Sequence, residues 1–167
     1  MRDAFGGVFM LTIMLLFITI LVAFGAISFK YAKSFRTKNA VIDFVEQNQV
    51  TDMSLFFSIG SESSNNAIKL SNILSRYNYN NSCEDGFGLE EGDITNTEGN
   101  VTGYCQNGVL IRIHDKNAST INYDIYTYVN WDLGILNKLL VLGGRPEDSE
   151  ERIAGSWLIS GEAVVKY

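Results

Sequence analysis

The 26 residues from Ala4 to Phe29 contain no Asp, Glu, Lys, Arg or His, and this constrains the chain more than any other feature. A helix needs about 20 predominantly apolar residues to cross the hydrocarbon core of a bilayer, so this run is long enough to span one with some tilt. Only Thr12, Thr19 and Ser28 bring polar side chains into it. Each hydroxyl can bond the carbonyl one turn earlier, so none forbids insertion. A cleaved signal peptide is one alternative, but its apolar core is shorter, about 7–15 residues, and ends in a small-residue cleavage site. Here Lys30, Tyr31, Ala32 and Lys33 continue a helical sequence instead. A buried core helix is the other alternative, and the run exceeds the roughly 10–14 apolar residues expected of one. The expectation is a single-pass membrane protein, with lipid as the partner of this segment.

No Gly or Pro occurs between Gly25 and Gly60, so nothing stops the helix at the membrane surface. Beyond Phe29 the pattern turns amphipathic. Ile27, Tyr31, Phe35, Ile42 and Val45 fall near one face, and the bases take much of the other. This predicts one helix from Ala4 to Gln47, roughly 65 Å long at about 1.5 Å per residue. A break near Lys30 into two helices is the alternative. Residues 1–47 are thus read as helix and 48–167 as an extracytoplasmic α+β domain.

Within that domain, Met53–Ile59 is a short apolar run, and Ser64 opens a second helix with Ile68, Leu70, Ile73, Leu74 and Tyr77 apolar. Residues 78–103, punctuated by Gly86, Gly88, Gly92 and Gly99, read as irregular. Val101–Cys105 and Val109–Ile113, joined through Gln106-Asn107-Gly108, read as a hairpin. The clearest strand follows. Ile121, Tyr123, Ile125, Thr127, Val129 and Trp131 alternate with Asn122, Asp124, Tyr126, Tyr128 and Asn130. That period of two predicts one packed face and one at least partly wet face. Tyr126 and Tyr128 interrupt the polar face, so either another element covers them or they form a contact surface. Asp132 can cap a helix over Leu133–Leu142, ended by Gly143-Gly144, before a charged loop containing Pro146. Ile153–Ser160 and Ala163–Tyr167 read as two closing strands joined near Gly161, with Trp157 in the core. The predicted fold class is α+β: a long N-terminal membrane-spanning helix packed, along its C-terminal half, on a small antiparallel β-sheet domain.

Charge is divided unevenly, +2 over residues 1–47 and −8 over residues 48–167, for a total of −6. An acidic domain repels phosphate backbones, so nucleic acid is not an expected partner. Cys83 and Cys105 lie in polar, turn-rich sequence beyond the span. The expectation is a disulfide, and with it an oxidising compartment, rather than two buried thiols. Lys30, Lys33, Arg36 and Lys38 would by the positive-inside rule place the domain in the cytoplasm. The cysteines and the acidic, Asn-rich domain argue for the outside, and the expected topology is an extracytoplasmic domain with a short cytoplasmic N-terminus.

Catalytic chemistry finds no motif. His114 is the single histidine and has no motif serine or cysteine near it, and no P-loop, dinucleotide fingerprint, zincin helix or nucleophile elbow occurs. The acidic residues Glu84, Asp85, Glu90, Glu91, Asp93 and Glu98 match no calcium-loop spacing. No catalytic residue, metal or cofactor is therefore assigned, and the chain is not read as an enzyme.

In the span, Gly6, Gly7 and Gly25 permit close helix–helix approach. An apolar first half-helix, an amphipathic second half and a disulfide-bearing β domain together resemble the type IV pilin-like superfamily, including the pseudopilins of tight-adherence (Tad) pili and of type II secretion. The resemblance covers the architecture of the whole chain. Those families carry a prepilin cleavage site after a Gly and usually a Glu five residues into the mature helix. Cleavage after Gly7 would put Thr12 at that position, which points to a minor or anchored component. The resemblance implies a bacterial structural or accessory subunit of a surface filament or secretion apparatus, with other pilin-like subunits as partners through the N-terminal helix. A membrane-tethered domain that binds a partner or ligand in an envelope complex is the alternative.

Overall fold

The absence of helix breakers after Gly25 has the expected consequence: α1 runs unbroken over Arg2–Gln47. The computed structural model describes residues 2–50, 64–96, 101–117, 119–132 and 154–166. The run at Met53–Ile59, the helix expected over Leu133–Leu142, the loop around Pro146 and Gly99 lie outside the described residues. After α1 come α2 (Ser64–Arg76), α3 (Cys83–Phe87), β1 (Gly92–Thr95), β2 (Val101–Gln106), β3 (Val109–Lys116), β4 (Thr120–Asp132) and β5 (Ala154–Lys166). The strands form one five-stranded antiparallel sheet in sequence order.

The chain divides into two compact units, Met1–Tyr31 with Asn130–Gly155, and Ala32–Val129 with Ser156–Tyr167. In the first, the Nζ of Lys30 donates to the backbone oxygen of Asn130 at 3.2 Å. The half-buried Trp131 ring lies so close over Gly155 that an added Cβ there would sit 2.6 Å from its Cζ2.

The second unit holds the hydrophobic core. On one face of the sheet, Val41, Phe44 and Val45 of α1 and Leu70 and Leu74 of α2 pack with Val109, Ile111, Ile121, Tyr123, Ile125, Ala163 and Val165. The α+β class with the helix packed on the sheet is thus seen directly. The alternation in β4 puts Ile121, Tyr123, Ile125, Thr127 and Val129 inside, as its period of two requires. Tyr123 spends its hydroxyl on the backbone oxygen of Val50, so a polar tip enters the core without an unmet hydrogen bond.

The opposite face carries a smaller cluster, Cys83, Cys105 and Leu110, with Phe87, Leu89, Ile94 and Tyr126 around it. Cys83 and Cys105 are joined as a disulfide that ties α3 to β2. Three local assignments change. The segment expected to be irregular contains α3 and β1. Ser82 caps α3 by accepting from the backbone N–H of Glu84 at 3.1 Å, and Gly88 closes it at φ +66°. The two closing strands are one: β5 passes straight through Gly161, where a Cβ would meet Ile42 Cδ1 at 2.8 Å and Lys38 Cδ at 3.0 Å. That glycine serves close approach of the helix, not a turn. Trp157, expected in the core, is 48% exposed, because the buried positions of β5 run from Ile159 to Val165 and stop short of it.

The hairpin follows its sequence signal. Asn107 and Gly108 form a two-residue connection with φ of +49° and +75°, the positive pair that matches the twist of flanking strands. The N–H of Asn107 is taken up by Glu91 Oε1 at 3.1 Å.

Candidate functional site

Two surfaces of α1 carry the functional question. From Gly7 onward, α1 is long and apolar enough to cross a membrane, and the most apolar stretch is wholly unburied. Its two threonine hydroxyls need no outside partner: Thr12 Oγ1 donates to Val8 O at 2.9 Å and Thr19 Oγ1 to Leu15 O at 2.8 Å. Both satisfy themselves within the helix, as hydrocarbon surroundings demand. Among the described residues a Cβ placed at Gly7 or Gly25 meets nothing within 4 Å, so no contact there requires either glycine. Gly6 lies in the same helix.

The other surface is the half-helix built into the core, and here the register differs from expectation. Tyr31 and Phe35, placed on the packed face by sequence, are exposed, Phe35 by 42%. Val45 is buried as expected, but Ser34, Thr37, Lys38, Val41 and Phe44 are buried beside it in place of Tyr31 and Phe35. The reason is polar matching. Ser34 Oγ donates to Thr127 Oγ1 at 3.0 Å, Thr127 Oγ1 donates to Ser34 O at 3.4 Å, and Thr37 Oγ1 donates to Lys33 O at 3.0 Å. Small hydroxyl residues let the helix lie close over β4, where Phe35 would hold it off. Lys38, expected on the solvent face, is also buried. Its Nζ donates to Ser160 O at 3.2 Å and lies 4.5 Å from the Phe35 ring centroid. Near the end of α1, Glu46 Oε1 accepts from the N–H of Val164 at 3.3 Å.

The tyrosine pair on the polar face of β4 resolves into two roles. Tyr128 is covered by α3. Its hydroxyl donates to Ser82 O at 2.8 Å, and its ring meets Phe87 edge-on at 5.6 Å. A Cβ at Gly86 would fall 2.1 Å from the Tyr128 ring, so α3 can sit there only because that residue is glycine. The backbone of Tyr128 engages Tyr79, whose hydroxyl accepts from Tyr128 N at 3.1 Å and donates to Tyr128 O at 2.9 Å. Burial foremost raises the pKa of Tyr79, and likewise that of Tyr128. Tyr126 is half-buried, and its hydroxyl donates to Asp124 Oδ2 at 3.2 Å.

The same carboxylate oxygen lies 3.0 Å from His114 Nδ1. His114 falls in a register shift of β3, between the pairs Ile113–Tyr123 and Asp115–Asn122, and a bulge of that kind re-aims a side chain. With the His114 side chain 64% exposed, this is a surface pair, worth about 0–1 kcal/mol at most. Among the described residues no group of three or more His, Cys, Asp or Glu side chains is placed to hold a metal ion.

Sequence reasoning missed Ser34, Thr37 and Lys38 as packing residues, and α3 as the cover of Tyr128. A signal existed for α3: Ser82 as a cap, Glu84 and Asp85 in the first turn, and Gly88 beyond the last. Comparison with protein-family models, curated proteins and solved structures finds no match.

Proposed function

We propose that this chain is a pilin-like, membrane-anchored structural or accessory subunit of a surface filament or secretion apparatus, with its sheet domain on the extracytoplasmic side. The observation that carries the proposal is the unbroken α1, bare and apolar in its first half and part of a hydrophobic core in its second. A passive tether needs only the first property. A subunit that must present its apolar helix to neighbours gains from having the same helix supply residues to its own core. The Cys83–Cys105 disulfide favours the oxidising side of the membrane.

The test is photo-crosslinking in native membranes from a benzophenone amino acid at Phe17, a bare position on α1. Assembly through the helix predicts chain-to-chain adducts that form a ladder. Adducts with lipid alone would contradict it.

A further inference from the structure

The end of the apolar run is chemically unlike the rest of the chain. Between Asp3 and Asp43 there is no acidic residue, and four bases follow Phe29: Lys30, Lys33, Arg36 and Lys38. The structure sorts them. Lys38 is turned into the fold and held by Ser160. Lys30 and Arg36 are exposed and Lys33 is half-buried. Among the described residues none of these three has a carboxylate within ion-pairing distance. Phe29, 74% exposed, and the exposed Tyr31 flank Lys30 on the helix. Asn130, which accepts from Lys30, precedes Trp131 on β4.

We propose that this collar, Lys30, Lys33 and Arg36 with Phe29 and Tyr31, binds the headgroups of anionic phospholipids in the leaflet where the span ends. At about 1.5 Å per residue, Arg36 stands roughly 10 Å beyond Phe29 along the helix. All three bases therefore lie within about one Debye length, 8–10 Å, of a surface drawn at the end of the apolar run. Steps of three residues also carry the bases around the helix by about 60° each, so they face a sector of headgroups and not a single point. Aromatic rings at this level favour the headgroup zone, where an apolar body and a polar tip are both accommodated. Residues 48–167, at −8, are repelled by an anionic bilayer, so the attraction is confined to the collar. The collar also gives the basic cluster a task that does not require the domain to be cytoplasmic.

The inference rests on α1 crossing a membrane, a part of the function proposed above, and not on filament assembly. The experiment uses the full chain in nanodiscs of phosphatidylcholine mixed equally with phosphatidylglycerol, with native mass spectrometry of the lipids retained on release. The wild type should retain phosphatidylglycerol over phosphatidylcholine by about tenfold or more, from three bases near the surface. The triple variant Lys30→Gln/Lys33→Gln/Arg36→Gln should retain the two about equally. Lys69→Gln/Lys116→Gln, which removes two exposed bases elsewhere, should keep the wild-type preference. An unchanged preference in the triple variant, or none in the wild type, overturns the collar. Alkaline carbonate extraction separates the two levels: a chain released from membranes fails the membrane reading itself, whereas an inserted chain without lipid preference fails only the collar.

Discussion

Ser34 of α1 and Thr127 of β4 exchange hydrogen bonds inside the fold, the serine hydroxyl donating to Thr127 Oγ1 at 3.0 Å and the threonine hydroxyl donating to the Ser34 carbonyl at 3.4 Å. Thr127 is fully buried, and the bond explains why a polar residue can stand on the packed face of the strand. Ser34→Leu should therefore cost about 2–3 kcal/mol, by overpacking the close approach and stranding the Thr127 hydroxyl. Phe35→Leu, one residue along and exposed, should cost under about 1 kcal/mol. Thermal melts of the two variants check this, and equal losses would mean that the helix packs through the Phe35 face.

Gly86→Ala should destabilise the second unit by about 1–3 kcal/mol, because the new methyl meets the Tyr128 ring and the ring is pinned by its bond to Ser82. Gly7→Ala, where a Cβ meets nothing, should leave its melting unchanged. A neutral Gly86→Ala would show that α3 does not cover Tyr128.

How much was legible in advance follows from how local each signal is. The β4 alternation, the hairpin and the unbroken α1 are written in consecutive residues and stand as read, except that Gln106, read into the turn, ends β2 and Trp131, read onto the packed face, is half-buried. The rotation of α1 is not written that way. Apolar spacing favoured Tyr31 and Phe35, but the close approach of helix to sheet is set by Thr127 and Gly161, which are distant in sequence. Gly161 looked like a turn because a strand glycine placed for close packing has the same letter as one placed for a bend. Tyr128 stayed ambiguous because its cover is a five-residue helix. As for the site, the apolar run and the cysteine pair in turn-rich sequence were visible from local sequence, whereas the burial of Lys38 needed the position of Ser160.

The disulfide closes a separation of 22 residues on the side of the sheet with the smaller cluster. Cys83→Ser/Cys105→Ser should lower stability by about 2–4 kcal/mol. Denaturant titration of the double variant checks this, and an unchanged midpoint would mean that α3 is held without the bond.

Alkaline pH should destabilise the fold. Burial foremost raises the pKa of Tyr79, Tyr104 and Tyr128 above the ordinary 10.0. Below that value both folded and unfolded chains are protonated and the full stability is present. Above it the unfolded chain loses its protons first, so stability falls as pH rises through the raised folded values. Tyr79→Phe loses hydrogen bonds at pH 8, but the deficit against wild type should narrow above pH 10. Urea titrations at both ends of the range read this, and a constant deficit would place Tyr79 in contact with water.

The second half of α1 is a core element and not a stalk. Val41 and Val45 are fully buried against the sheet, and Ser34 and Lys38 bond to it directly. Two fragments, one beginning at Lys30 and one at Asn48, are compared by calorimetry under identical conditions. The fragment from Lys30 should show a cooperative transition, and the fragment from Asn48, which loses Val41, Phe44 and Val45 from its core, should show none. A cooperative transition from the Asn48 fragment, at a similar temperature, would contradict this and leave the helix as a tether.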